Sequence, residues 1–252
     1  MRQAADKYVL NNRITTSRFS ARPLYLQARD AIAQRIAAGE WKPSTAIPNE
    51  GDLVRELGVS PGTMRKALDL LESERLLTRR QGRGTFVNDQ AAEEHAIRYS
   101  NIRGRDGERL VGEMKVLSIT EAAVSERECV RLRLRGHERV HRIRRLRLVD
   151  GTPYMLEDVS LPMALFTGLS GQKDAAQRVV VLAQQFGVLL GRGEERISIG
   201  SASPDVASAL QVAPAATIMV LDRVVHTLEG KPAEWRLGQC LMAGRHYLAE
   251  FK

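Results

Sequence analysis

Apolar positions in the first third of the chain recur with a helical period. Leu24, Ala28, Ala31, Ile32 and Ile36 form one stripe, which begins after Pro23 and stops before Gly39. Trp41 follows in a turn and is expected to pack under this helix. A short second helix over 50–57 would bury Leu53, Val54 and Leu57, with Asn49 as its N-cap, Asp52 in its first turn and Gly58 as its stop. The third helix is predicted from Pro61 to Glu74, capped by Ser60, with Met64, Ala67, Leu68 and Leu71 at i, i+3, i+4 and i+7. Thr63, Arg65 and Lys66 fall off that stripe near its N-terminal end. The pattern then becomes that of two short β-prone runs in 76–87, joined by a Gly82-Arg83-Gly84 tip.

Beyond this the pattern changes twice. Residues 89–109 are polar and charged, with Gly104 and Gly107, and read as an interdomain linker with a strand near Ala96–Tyr99. From about Leu110 strands alternate with short helices. Val111–Ser118 reads as a strand, and Glu121–Leu134 contains helical pieces. Arg139–Val149 alternates as a half-buried strand, Asp150-Gly151 signals a hairpin, and Pro153–Leu161 returns beside it. A helix is expected over Asp174–Phe186, and another with Pro204 in its first turn running to Leu210. Val188–Ile199, Ala216–Leu228 and Ala233–Ala243 read as long strands. Hairpin-linked strands with inserted helices imply an antiparallel sheet in an α+β domain. The expected organisation is therefore a tail at 1–20, a helical domain with a hairpin at 21–88, a linker at 89–109 and an α+β domain at 110–252.

Charge adds a direction to this picture. The chain of 252 residues carries a net charge of +8. Residues 1–88 hold 15 Lys/Arg against 9 Asp/Glu, and residues 89–252 hold 23 against 21. The excess cation sits on the smaller, N-terminal part, which suits a polyanionic partner there. A helix with an apolar back and a polar, basic front end can read a DNA major groove, and a Gly-Arg-Gly tip can press a cation and bare backbone against phosphates. Cys129 and Cys240 have no paired spacing, and no Cys/His cluster resembles a metal site, so neither a metal nor another cofactor is expected. A reducing cytoplasm is the simplest fit. Residues 1–20 lack a secretory apolar core, and no run approaches the length of a membrane span, so no membrane partner is expected. His95, His137, His141, His226 and His246 are scattered and read as packing or surface residues.

The run Ile47-Pro48-Asn49-Glu50, Leu53 to Leu68, Leu76-Leu77 and Arg80 to Val87 resembles the winged helix-turn-helix of GntR-family transcription regulators. The resemblance implies operator contacts from Arg55, Thr63 and Arg65 and a wing tip at Gly82. Around them, Ser60, Gly62, Lys66, Gln81, Arg83, Gly84 and Thr85 complete the expected DNA-binding set. Pro61 stands where many members carry an arginine.

The second half resembles the UTRA effector domain of the HutC subfamily, whose fold is like that of chorismate lyase. The carrying residues are Arg145 to Pro153, Glu157, Leu161-Pro162, Leu221-Asp222-Arg223, Gly230 to Glu234 and Arg245-His246-Tyr247. The resemblance implies that Arg145 and Arg147 grip an anion and that Glu157 and Glu234 take hydroxyl or amine donors. Arg178 stands roughly where sugar-phosphate-binding members carry a serine, and Trp235-Arg236 would add a stacking surface and another fork. Two residues apart on a strand, Arg145 and Arg147 share one face, and guanidinium forks suit carboxylate or phosphate. Implied overall is a homodimeric repressor on palindromic operator DNA, controlled by a small organic acid or phosphorylated metabolite. Two other readings stay open: an architectural DNA binder with a ligand-free dimerisation domain, and an enzyme of chorismate-lyase-like fold.

Overall fold

The computed structural model describes residues 22–90, 92, 99–110, 112–171 and 177–249. The tail expected at 1–20, most of the strand expected at Ala96–Tyr99, His95, and the start of the helix expected at Asp174 lie outside the described residues. The chain divides between Asp89 and Gln90 into two compact units.

The first unit is three helices and a hairpin: α1 (Leu24–Ala37), α2 (Glu50–Leu57), α3 (Pro61–Ser73), β1 (Leu77–Arg80) and β2 (Gly84–Val87). Local chemistry sets the ends. The Asn49 side chain accepts from the Asp52 N–H at 3.0 Å, and left-handed Gly58 stops α2. Ser60 Oγ accepts from the Thr63 N–H at 3.2 Å, with Pro61 at the first position of α3. Ile32, Leu53, Leu57, Met64, Ala67, Leu68 and Leu71 are buried together with Leu76, Leu77 and Val87, so the hairpin shares the helical core. Residues 44–47 run along β2 through Ser44 N–H to Val87 O (2.8 Å) and Ile47 N–H to Thr85 O (2.9 Å). Trp41 is buried under the Arg35 guanidinium, 4.1 Å from its ring centre. Arg29 ties α1 to the residue after α3 through Glu74 (Nη2–Oε1 2.5 Å).

The second unit is built on a six-stranded antiparallel sheet in the order β4-β5-β6-β9-β8-β7. Its strands are β4 (Glu113–Ala123), β5 (Arg139–Val149), β6 (Thr152–Pro162), β7 (Leu190–Ser201), β8 (Thr217–Thr227) and β9 (Pro232–Cys240). Asp150 and Gly151 both have positive φ in the β5–β6 turn, as a two-residue hairpin with the sheet's twist requires. One face carries α4 (Glu126–Leu132) over Val140, Val224 and Trp235, and α6 (Pro204–Leu210) over Leu146, Leu156 and Ile218. The other face packs α5 (Val179–Gln185) against Ile143, Val159, Leu161 and Val225.

Three expectations change. The stretch taken as linker is, over 99–110, part of the second unit. Within it β3 (Ile102–Arg103) pairs with β10 (His246–Tyr247), and Ile102 is buried with Met155, Leu221 and Cys240. Of the helix expected at Asp174–Phe186, Val179–Gln185 is helical among the described residues, and Gln177 and Arg178 are not. The strand expected to end at Ser118 runs on to Ala123, and the helical piece expected within Glu121–Leu134 follows it. The helix starts only after Ser125, which with Glu128 forms a reciprocal capping box.

Candidate functional site

The first unit presents a basic surface of side chains with little else to hold them. Met64, Ala67 and Leu68 anchor the back of α3, which leaves Gly62, Arg65 and Lys66 exposed at its front and Thr63 half-buried. Arg65 is 68% exposed, and Glu50 is its nearest acid at 3.4 Å. Arg55 is 80% exposed and pairs with Asp52. Such solvated pairs are weak, so both arginines can exchange their carboxylates for phosphates or base edges. Lys66 lies over the Tyr25 ring at 4.0 Å, an intramolecular contact that competes with a DNA role. Ser60 and Thr63 bond to each other (Oγ–Oγ1 2.9 Å), so Ser60 acts first as a cap.

The wing tip is a tight turn. The Arg83 N–H donates to Arg80 O at 2.9 Å, and Gly82 has φ +69°, which fits the third position of a type II turn. Gly84 has φ +109°. An added Cβ at either glycine would meet nothing within 4 Å, so the requirement there is backbone conformation rather than space. Gln81, Gly82, Arg83 and Gly84 are exposed, whereas Thr85 is half-buried along the 44–47 segment.

In the second unit, the sheet face that meets α5 carries a band of buried ions between two apolar clusters. Arg145 and Glu157 are direct cross-strand partners on β5 and β6. Arg223 and Arg236 are partners on β8 and β9, and Glu195 of β7 lies opposite Arg223. Glu157 is 0% exposed. Its Oε2 accepts from Arg145 Nε at 2.6 Å, its Oε1 accepts from Arg236 Nη1 at 2.7 Å, and Arg147 Nε lies 3.4 Å away. Arg145 also donates to Gln177 O at 2.7 Å. Glu234 accepts from Arg223 Nε and Nη2 at 3.2 and 2.8 Å, and Arg223 Nη1 donates to Tyr99 O at 2.6 Å. Arg236 Nη2 and the Tyr247 hydroxyl both donate to Glu195, at 2.7 and 2.8 Å.

Burial opposes the charge of Glu157, but Arg145, Arg147 and Arg236 outweigh it and hold its pKa well below the usual carboxylate range. Burial likewise opposes the charge of Arg236, and Glu157, Glu195 and Glu234 more than restore it. Arg178 and Arg223 go the other way. Burial, and then Arg147 for the first and Arg236 for the second, push their pKa values down.

Over this band opens a small, partly open pocket. Arg145, Arg147, Arg178 and Arg223 line it, with Tyr99, Ser100, Val179 and Val180. Three of the expected effector residues therefore meet here: Arg145, Arg147 and Arg178. Three do not line it. Glu157, Glu234 and Arg236 sit in the ion band, and Glu157 has both oxygens engaged, so it holds arginines in place instead of receiving donors from a ligand. Trp235 offers no stacking surface to the pocket. Strand alternation puts it on the opposite sheet face from Glu234 and Arg236, where its Nε1 donates to Asp222 at 2.8 Å and Leu132 and Val224 enclose it. Cys240 is buried, with its thiol pushed up to about 12 by burial. Arg223, Tyr99 and Ser100 were not expected at the site. The Leu221-Asp222-Arg223 run and strand parity contained a signal for Arg223, whereas nothing local points to Tyr99 or Ser100.

Two family models match the chain. Residues 24–87 match that of bacterial regulatory proteins of the gntR family, and residues 108–242 match that of the UTRA domain. The mannosyl-D-glycerate transport/metabolism system repressor MngR of Escherichia coli K12 is 29% identical over 177 residues, 70% of this chain and 74% of the relative. The histidine utilization repressor of Pseudomonas putida is 29% identical over 191 residues, covering 75% and 77%. The HTH-type transcriptional repressor NagR of Bacillus subtilis is 25% identical over 220 residues, covering 84% and 88%. Among solved structures, the ligand-binding domain of a protein assigned to the GntR family from Bordetella bronchiseptica matches with TM-score 0.54 and 27% identity, over 60% of this chain and 96% of that one. PhnF from Mycobacterium smegmatis matches in fold with TM-score 0.54 and 18% identity, over 89% and 99%. The chain belongs to the GntR family of bacterial regulatory proteins and joins that family's winged helix-turn-helix to a UTRA domain.

Proposed function

We propose that this protein is a cytoplasmic, homodimeric repressor of a metabolic operon, whose affinity for a palindromic operator is set by a small anionic metabolite in the second unit. The observation that carries the reading is the coexistence of two sites on separate compact units: an exposed basic helix front and wing, and a pocket lined by four arginines. Arg55, Thr63 and Arg65, with the wing from Gln81 to Thr85, would engage DNA. A two-fold pair of winged helices matches two half-sites. The named relatives include repressors of mannosyl-glycerate and histidine metabolism, which favours repression of a catabolic operon. Control requires that the metabolite bind the two regulatory states with different affinity.

The test is operator selection from a random duplex pool, followed by fluorescence anisotropy with and without candidate metabolites. A palindromic site bound by two chains, and released or tightened by one metabolite, is the expected result. A site bound equally with every ligand that fills the pocket would remove the regulatory reading.

A further inference from the structure

The wing hairpin is fixed at its base. Leu76, Leu77 and Val87 are buried there, and the Asn88 side chain donates to Arg75 O at 2.9 Å and to Leu77 O at 3.3 Å. Burial ends at Thr78, and Arg79 and Arg80 are exposed, so apolar packing does not set the angle of the outer half of β1 against α3. Hydrogen bonds from one residue make that link. Arg65, Asp69 and Glu72 fall at i, i+4 and i+7 on one side of α3, and Arg79 lies along this row. Arg79 Nη1 donates to Asp69 at 2.5 Å and to Glu72 Oε2 at 3.2 Å, and Nη2 donates to Arg65 O at 3.4 Å. The Arg79 N–H, on the edge of β1 that β2 leaves open, donates to Glu72 Oε1 at 3.0 Å. Glu72 thus holds both the backbone and the side chain of the same wing residue.

We infer that Arg79 is a positioning residue for operator reading: clamped by Asp69 and Glu72, it sets the wing against α3, so that the wing tip and Arg65 meet the DNA at a fixed separation. The inference deepens the reading above and rests on the wing's part in DNA binding. Arg79 does not serve as a phosphate contact. One guanidinium stands between two carboxylates, so the local charge is negative and repels a phosphate, and a phosphate would have to displace Asp69 and Glu72. The Arg79-Arg80 run therefore contributes to DNA binding through geometry at its first residue. Each contact is solvated and weak alone, because Arg79 is 36% exposed, Glu72 39% and Asp69 55%. Together they act on a lever: Gly82, at the tip, lies on the order of 10 Å further along the hairpin. A small change of angle at Arg79 therefore displaces the tip by more than it displaces the clamp.

Anisotropy titrations of full-length variants on the selected operator, over a range of salt concentrations, test this. Arg79→Gln should weaken binding about three- to tenfold with an unchanged salt slope. A phosphate contact would instead lower that slope by about one. Glu72→Ala gives a test of sign. Removing an acid from a DNA-binding unit ordinarily strengthens binding, whereas loss of the clamp should weaken it. In a Gly82→Val background, where the tip is already disordered, Arg79→Gln should cost less than about twofold more, since both changes act through the wing. Thermal unfolding of each variant should stay near that of the parent, and amide exchange without DNA should quicken over 79–87 and not over α3. A shallower salt slope in Arg79→Gln, tighter binding by Glu72→Ala, a fully additive loss in the Gly82→Val background, or unchanged exchange in the wing would each overturn the inference. If the wing amides quicken while neither Gly82→Val nor Arg79→Gln moves operator affinity, the clamp stands and the wing's part in DNA binding fails. If Gly82→Val weakens the operator and Arg79→Gln does not, the wing stands and this inference fails.

Discussion

Arg145 and Glu157 face each other across the β5–β6 hairpin as direct register partners, with Nε 2.6 Å from Oε2 and both side chains out of solvent. This pair is the hinge of the ion band. Through Glu157 it fixes Arg236, and through Gln177 O it fixes the residue that leads into Arg178 and α5. Removing one member leaves buried charge without compensation. Glu157→Gln should therefore destabilise the second unit by about 3–5 kcal/mol, read as a lower denaturation midpoint. An unchanged midpoint would mean that water reaches this band in solution and that the pair is not structural.

Acid should unfold the same unit by a defined route. The Glu128 side chain is 3% exposed. Burial opposes its charge, but Arg142 and the Ser125 backbone and side chain outweigh this and bring its pKa from 4.5 to about 2. A carboxyl depressed in the folded state stabilises the fold fully above its unfolded value and loses that contribution as pH falls through the folded one. The loss should run from about pH 4.5 toward pH 2, on the order of 3 kcal/mol for this group, and Glu157 adds to it in the same direction. Urea midpoints against pH would show it, and Glu128→Gln should be less stable at neutral pH with a flatter acid limb. A limb as steep in the variant as in the parent would assign the acid sensitivity to other groups.

At the DNA surface, Arg65→Ala should weaken a selected operator by about 1–3 kcal/mol if the side chain reads a base. The folded unit should hardly change, because only an exposed contact to Glu50 is lost. Anisotropy titrations at several salt concentrations distinguish the two ways it could act. A uniform loss on all duplexes with a shallower salt slope would make it a phosphate contact, and no loss at all would take it out of the interface.

The wing makes a separate demand. Gly82 sits at φ +69° with open space where a Cβ would go. Gly82→Val forces a β-branched residue into a left-handed backbone, at a local cost of about 1–2 kcal/mol, so the turn should open. Operator affinity should fall while the helical core melts at nearly the same temperature. Gly82→Asn, which tolerates this conformation, should bind better than Gly82→Val. If both variants bind like the parent, the wing does not touch DNA.

Much of this architecture can be read without coordinates, because it rests on short-range rules. The stripe of Met64, Ala67, Leu68 and Leu71, the caps at Asn49 and Ser60, and the Asp150-Gly151 turn are all local, and each specifies its own element. Strand parity alone places Arg145 and Arg147 on one face, and the same parity separates Trp235 from Glu234 and Arg236. Other features depend on partners distant in sequence. Ile102 and Arg103 look like linker, because what makes them a strand is β10 near the other end of the chain. Glu157 looks like a ligand-binding carboxylate until Arg145 from one neighbouring strand and Arg236 from the other each claim an oxygen. Arg223 and Tyr99 reach the pocket only because the sheet order sets β8 beside β9 and brings the Tyr99 carbonyl to the guanidinium. Local pattern thus suffices for which elements form and which residues share a face. Which guanidinium neutralises which carboxylate emerges only when β5, β6, β8 and β9 lie side by side, since pairing of buried ions depends on distances of a few ångströms between strands that no local pattern encodes.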